Sequence, residues 1–99
     1  MHIIILEYYA GDKGGLCKEE SNVIRSQTEC TKALHDLGYQ ALNKFSTTND
    51  NNAPSGCSIH IDSLNPLFET SPNGTGNSLN HLTPICAYKG KGTNIVSFL

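Results

Sequence analysis

Four cysteines constrain the fold of this sequence more than any other feature. Cys17, Cys30, Cys57 and Cys86 occur in a chain of 99 residues. A chain this short buries roughly 60–65% of its extended surface on folding, so its hydrophobic core alone stabilises it only marginally. Disulfides commonly stabilise small domains of this kind in oxidising compartments. We therefore predict one domain over residues 1–99, held together by two structural disulfides.

One cysteine lies in a segment with a clear helical pattern. Ser26 and Glu29 have the spacing of a capping box at a helix N-terminus, and Gly38 is suited to end the helix. Between them, apolar residues recur at the helical spacing i, i+3, i+4 and i+7, namely Cys30, Ala33, Leu34 and Leu37. The pattern predicts an amphipathic helix over about residues 27–37, with its cysteine on the buried face.

A second cysteine begins a segment that alternates like a β-strand. From Cys57 to Asp62, the residues predicted to face inward are Cys57, Ile59 and Ile61, and those predicted to face solvent are Ser58, His60 and Asp62. Further strands are predicted over His2–Tyr9, Leu67–Thr70, Pro84–Tyr88 and Asn94–Leu99. Polar loops are predicted over residues 46–56 and 71–80. We expect an α+β fold in which one amphipathic helix packs on a small antiparallel sheet.

The four cysteines allow three disulfide pairings, and the sequence alone does not choose among them. We favour Cys30–Cys57 together with Cys17–Cys86. The first bridge would join the inner face of the helix to the inward face of the following strand. The second would tie the N-terminal segment to the last third of the chain.

A zinc site is the alternative interpretation of the same cysteines. Cys57 and His60, together with His81 and Cys86, supply the two cysteines and two histidines of a tetrahedral site. In an extended strand, however, Cys57 and His60 point to opposite faces, and the other two cysteines would have no role. We therefore expect neither a metal ion nor any other cofactor.

Composition and motifs argue against several classes of function. The net charge is −2 and the 7 Lys and Arg residues form no basic run, so we expect no nucleic-acid partner. No apolar stretch reaches the ~20 residues that span a bilayer. The sequence has no nucleophile elbow and no carboxylate pair at catalytic spacing. His60 beside Asp62 has the composition of a catalytic base with an orienting partner, but we favour exposed strand alternation, which explains the pair equally well. We predict that the domain is not an enzyme.

Two features indicate the secretory route. Disulfides form in oxidising compartments, and Asn73-Gly74-Thr75 is an N-glycosylation sequon in a polar loop. The apolar run Ile3–Leu6 is too short for the core of a signal peptide, so we expect a signal that has been removed or a chain cut from a longer precursor. The expected location is extracellular or lumenal, with Asn73 as the candidate glycosylation site.

Between Gly15 and Tyr88, several short motifs match one kind of extracellular module. They are Ser26-x-x-Glu29-Cys30, Ala33-Leu34, Leu37-Gly38, Gly56-Cys57-Ser58, Leu67-Phe68-Glu69-Thr70 and Pro84-Ile85-Cys86. In these motifs the chain resembles an apple/PAN-like, disulfide-stabilised module of secreted and cell-surface proteins of algae, other protists and marine invertebrates. The resemblance implies a non-enzymatic adhesion or recognition module that binds protein or carbohydrate. It carries over no ligand-binding residue.

These observations lead to one main functional hypothesis and two alternatives. The main hypothesis is an extracellular or lumenal interaction module that binds protein and forms part of a larger assembly. It rests on the apolar ends, Ile3–Tyr9 and Ile95–Leu99, which are suited to pair with each other or to dock onto a neighbour. The alternatives are a secreted carbohydrate-binding, lectin-like module and a small secreted inhibitor or effector.

Overall fold

The computed structural model describes residues 2–39, 45–49, 51–75, 81–88 and 94–98, and within 2–6 and 94–98 it describes the backbone. In this part of the chain the strands are β1 (His2–Leu6), β2 (Tyr8–Ala10), β3 (Ser46–Thr48), β4 (Gly56–His60), β5 (Asn65–Glu69), β6 (Leu82–Ala87) and β7 (Asn94–Phe98). The α-helix α1 (Gln27–Asp36) follows a 3-10 helix at Glu20–Asn22. The helix packs on β4 and β6, so the predicted α+β class is confirmed.

The helix α1 begins where its local sequence predicts. The Ser26 hydroxyl accepts a hydrogen bond from the Glu29 N–H at 3.0 Å, which is the interaction of an N-cap residue. The buried face of the helix consists of Cys30, Ala33 and Leu34. None of the described helices is long and apolar enough to cross a membrane.

Gly38 ends the helix. Its φ is +85°, a left-handed conformation that glycine adopts without steric cost. The N–H groups of Gly38 and Tyr39 donate to the carbonyl oxygens of His35 and Leu34 at 3.0 and 2.9 Å. These two bonds form a Schellman motif. The helix therefore stops at Asp36, one residue before the predicted end.

A five-stranded sheet has the order β2-β6-β4-β5-β3 among the described strands. Its neighbours are antiparallel except for β3, which runs parallel to β5. The strand β3 lies in residues predicted to be part of the loop 46–56, so the sheet is mixed where an antiparallel one was expected. A three-residue edge strand of Ser and Thr has no distinct local signal, because it forms only through its partner.

The strands β1 and β7 form a separate, two-stranded antiparallel ribbon. Its register runs from His2 opposite Phe98 to Leu6 opposite Asn94. The predicted single strand over His2–Tyr9 is therefore wrong, because its two halves belong to different sheets on either side of Glu7. The Glu7 carbonyl accepts a hydrogen bond from the N–H of Tyr88 at 2.9 Å, which extends the β2–β6 pairing to this junction.

The central strand β4 departs from the predicted alternation. Ser58, expected to face solvent, has 0% exposure, and its neighbours Cys57 and Ile59 are also buried. Both faces of the strand are therefore covered, one of them by α1. The strand ends at His60, whose carbonyl accepts the Leu64 N–H at 2.7 Å across a turn.

That turn corrects two further expectations. Ile61, predicted to face the core, lies in the turn and is 38% exposed. Asp62 is also an exposed turn residue, so it does not share a strand face with His60. Strand alternation cannot be extrapolated past the residue at which the chain turns.

The disulfides join Cys30 to Cys57 and Cys17 to Cys86. This is the pairing favoured from the sequence. The first bridge connects α1 to β4 inside the core, and the second connects the segment before the 3-10 helix to β6. No cysteine of the chain is free.

Candidate functional site

The two predicted polar loops are packed against each other. Residues 51–55, between β3 and β4, contact residues 71–75, which follow β5. Asn51 links them, since its carbonyl oxygen accepts the Thr75 hydroxyl at 2.9 Å and its Oδ1 accepts the Ser71 hydroxyl. The φ of Asn51 is 65°, a left-handed value that Asn tolerates better than most residues.

A buried carboxylate anchors both loops to the sheet. Glu69, the last residue of β5, is 2% exposed. Its Oε1 accepts the Asn51 N–H at 3.1 Å and its Oε2 accepts the Ser71 N–H at 3.2 Å. Buried carboxylates need such partners to offset the loss of hydration. The contacts of Glu69 place it in a structural role.

Ser55 forms the second link between the loops. Its hydroxyl donates to the Ser71 carbonyl at 2.7 Å and accepts the Gly74 N–H at 2.7 Å. Gly74 lies so close to the first loop that a Cβ built on it would overlap the carbonyl oxygen of Ala53. Any side chain at position 74 would separate the two loops.

A cleft of about 170 Å³ opens beside this loop pair. Its apolar surface comes from both loops and from the segment before α1, and Glu19, Glu20 and Arg25 add charge at its rim. Arg25 pairs with Glu20 at 3.6 Å. The lining residues are Leu16, Cys17, Glu19, Glu20, Val23, Arg25, Pro54, Ser55, Pro72 and Gly74. The structure thus adds residues 16–25 to the two predicted loops.

Asn73, the candidate glycosylation site, is exposed between two of these lining residues, Pro72 and Gly74. Its backbone N–H donates to the Ser71 hydroxyl at 3.1 Å. The rest of the predicted loop 71–80, residues 76–80, lies outside the described part of the chain.

Two tyrosines form an aromatic surface at the β2 edge. The rings of Tyr9 and Tyr88 are 4.7 Å apart between centroids, and Tyr88 is 37% exposed. The Tyr9 hydroxyl donates to Asn22 Oδ1 at 2.7 Å, and the Lys18 ammonium lies 5.8 Å from its ring centroid. These contacts hold the Tyr9 ring in place, and the Tyr88 ring beside it stays accessible to solvent.

A charged cluster joins the start of β2 to α1. Lys32 Nζ lies 2.9 Å from Asp36 Oδ2 and 3.3 Å from Glu7 Oε2, and 4.9 Å from the centroid of the Tyr8 ring. The hydrogen bond with Asp36 raises the pKa of Lys32 and lowers the pKa of Asp36. Burial, followed by the charge of Glu29, raises the pKa of the Tyr8 phenol. Solvent-exposed pairs of this kind contribute little stability.

The zinc interpretation is wrong, because Cys57 and Cys86 are both bonded to other cysteines. Among the residues that the structure describes, no group of three or more His, Cys, Asp or Glu side chains is placed to hold a metal ion. His35 lies on the exposed side of α1, 3.7 Å from Asp36. The interpretation of His60 and Asp62 as a catalytic pair loses its basis, since they do not share a strand face.

Sequence reasoning missed Leu16, Val23 and Glu69. Leu16 and Val23 lie in a segment without helical or strand periodicity, so no pattern marks them. Glu69 is not marked either, because strand alternation places it on the face opposite Phe68 and so toward solvent, although its burial requires hydrogen-bond partners. The sequence does not identify those partners, which lie in the two loops.

No family model matches the chain, and no curated protein or solved structure is similar to it at a significant level. The class of the protein is therefore described from its structure: it is a disulfide-stabilised α+β domain with a cleft formed by loops and a two-stranded ribbon. Two disulfides in so small a domain indicate an oxidising environment.

Proposed function

We propose that this chain is a non-enzymatic interaction module of an extracellular or lumenal compartment, and that it assembles with further copies through the β1–β7 ribbon. The observation that carries the proposal is the pairing of the two apolar ends of the chain into that ribbon. An isolated two-stranded ribbon is marginally stable in water. Additional strands or a covering surface would stabilise it.

The composition of the ribbon favours strand addition. Neither His2–Leu6 nor Asn94–Phe98 contains Asp, Glu, Lys, Arg or Pro, which are the residues that commonly protect an edge from pairing. In the described part of the chain, each of the two strands pairs on one side only. Backbone hydrogen bonds can therefore join the outer edge to a strand of another copy.

The body of the domain provides a firm base for the ribbon. A single residue, Glu7, separates β1 from β2. The strand β2 pairs with β6, where Cys86 is bonded to Cys17. Force or strain applied at the ribbon therefore reaches a covalently fixed sheet after one residue. The motifs that resemble an apple/PAN-like module suit the same adhesive or structural role.

The test is sedimentation of the oxidised, full-length chain over a wide range of concentrations. We expect association that increases with concentration. The variant Val96→Lys places a charge in β7 and should shift the equilibrium to monomer. Ile61→Lys is the matched control, because Ile61 is 38% exposed in the β4–β5 turn, and it should associate like the wild type. A wild-type chain that stays monomeric throughout, or equal weakening by both variants, would overturn the proposal.

A carbohydrate-binding, lectin-like module is the second candidate. The exposed Tyr88 ring, held beside Tyr9, favours it, because an amphipathic aromatic surface suits sugar rings as well as protein partners. A glycan array probed with the oxidised protein tests this candidate, with Tyr88→Ala as the variant that should lose the signal. An absence of binding to every glycan on the array would rule out this candidate.

A further inference from the structure

The sequon Asn73-Gly74-Thr75 is the only Asn-x-Ser/Thr sequence in the chain. Its first residue is exposed, and the residues on either side of it, Pro72 and Gly74, line the cleft. An attachment at Asn73 would therefore start at the rim of the cleft. This juxtaposition carries the inference.

The folded loop holds the backbone of the sequon in place. The N–H of Asn73 is bonded to the Ser71 hydroxyl and the N–H of Gly74 to the Ser55 hydroxyl, at 3.1 and 2.7 Å. The lack of space for a Cβ at Gly74 holds the backbone against the neighbouring loop. The sequon is thus part of a hydrogen-bonded turn in which Asn73 is exposed.

The size and polarity of the cleft favour a small tethered occupant. Its volume of about 170 Å³ is below the roughly 300–1,000 Å³ of pockets that bind free small molecules. Its wall includes Leu16, which is 51% exposed, and two proline rings, Pro54 and Pro72. A covalent tether raises the effective concentration of its own end group, so weak contacts are sufficient for occupancy.

We propose that Asn73 carries an N-linked glycan and that the first sugar of this glycan covers the cleft. The donor is a lipid-pyrophosphate-linked oligosaccharide of the secretory route. A bond forms between Nδ2 of Asn73 and the anomeric carbon of the sugar, the bond from that carbon to the pyrophosphate oxygen breaks, and Nδ2 loses one proton as the lipid pyrophosphate leaves. No oxidation or reduction takes place.

The contacts of Thr75 bear on the stage at which the sugar is transferred. In the folded chain the Thr75 hydroxyl donates to the carbonyl of Asn51 at 2.9 Å, so it is engaged once the loops have docked. If transfer requires this hydroxyl to be free, it would have to precede docking of residues 71–75 onto residues 51–55. The inference rests on the secretory part of the proposed function and is independent of the ribbon.

The first arm of the experiment tests the attachment. The full chain is secreted from eukaryotic cells behind a cleavable leader, and its mass is measured before and after treatment with a peptide N-glycosidase. We expect a glycan on the wild type and on Thr75→Ser, and none on Asn73→Gln or Thr75→Ala. A secreted, oxidised wild type without a glycan at Asn73 would overturn the inference and leave the ribbon proposal standing. A chain that carries the glycan but stays monomeric would support this inference and overturn the ribbon proposal.

The second arm tests the covering of the cleft. The glycan is trimmed to its first sugar, and hydroxyl-radical labelling of Leu16 is compared between this protein and the deglycosylated one. We expect the sugar to reduce the labelling of Leu16 by about twofold or more, because labelling follows the exposed area of a side chain and the sugar would contact that area. Labelling of Ile61, in the β4–β5 turn, is the internal control and should stay constant. Equal labelling of Leu16 in both forms would refute the covering.

Discussion

Two buried serines, three positions apart, should respond in opposite ways to loss of their hydroxyl groups. Ser55 is 8% exposed and Ser58 is 0% exposed. The Ser55 hydroxyl has two hydrogen-bond partners, the Ser71 carbonyl and the Gly74 N–H, each at 2.7 Å. The Ser58 hydroxyl has none among the residues that the structure describes. Substitution of each by Ala therefore removes the same atom from two different electrostatic settings.

The expected changes in the free energy of unfolding follow from these hydrogen-bond partners. Ser55→Ala leaves a buried carbonyl and a half-buried N–H without their partner, at a cost of about 1–3 kcal/mol for a fully buried group and less for one that water can reach. We expect a loss of about 2–3 kcal/mol in the free energy of unfolding. Ser58→Ala removes a hydroxyl whose desolvation is uncompensated, so the change should lie between zero and a gain of about 1 kcal/mol.

Urea unfolding of the oxidised proteins measures both changes. With a slope of about 1–3 kcal/mol per molar urea for small proteins, the midpoint of Ser55→Ala should fall by about 1–2 M. The midpoint of Ser58→Ala should stay constant or rise, and neither variant should alter the slope. A loss of more than about 1 kcal/mol for Ser58→Ala, or no loss for Ser55→Ala, would refute the reasoning.

Two further predictions concern the disulfides and a buried tyrosine. Replacement of both Cys17 and Cys86 by Ala should cost about 4.4 kcal/mol, and replacement of Cys30 and Cys57 about 3.6 kcal/mol, on the loop-entropy estimate for sequence separations of 69 and 27. Denaturant unfolding of the two double variants measures the difference, and a reversed order would contradict an entropic origin. For Tyr8, burial raises the pKa above its ordinary value of 10.0, so the neutral phenol stabilises the fold. That stability is complete below about pH 10 and is lost as the pH rises through the folded-state pKa. Tyr8→Phe should therefore lose less stability than the wild type as the pH rises above about 10. An equal loss of stability in both proteins over that range would argue against this role of Tyr8.

The parts of the fold that could be predicted are those with local causes. The N-cap at Ser26, the helical spacing of Cys30 and Leu34, and the left-handed Gly38 all act within a few residues of one another. Together they define α1 and its buried face. Facing directions then favoured one disulfide pairing, because the helix and β4 each present a cysteine to the core.

The remaining features depend on distant partners. Glu7 divides an apolar segment between two sheets because β1 pairs with β7 and β2 pairs with β6, near the other end of the chain. Ser58 is buried because β4 occupies the centre of the sheet, and its own sequence does not encode that position. The cleft needs residues 16–25 beside two loops that are far from them in sequence. Such contacts depend on the way the strands are ordered in the sheet, which no local sequence pattern encodes.

The disulfide connectivity has a consequence for the order in which the bridges form during synthesis. The bridge Cys17–Cys86 encloses the bridge Cys30–Cys57, so the two are nested. As the chain is made from the N-terminus, Cys17 meets Cys30 first and its native partner, Cys86, last. The Cys17 thiol stays without its native partner while most of the chain is made, so it is able to pair incorrectly with Cys30. A disulfide isomerase would then be needed to break the incorrect bond. Once such mispairing is avoided or corrected, the inner bridge Cys30–Cys57 forms first, and the bridge Cys17–Cys86, on the β2–β6 side of the sheet, forms last.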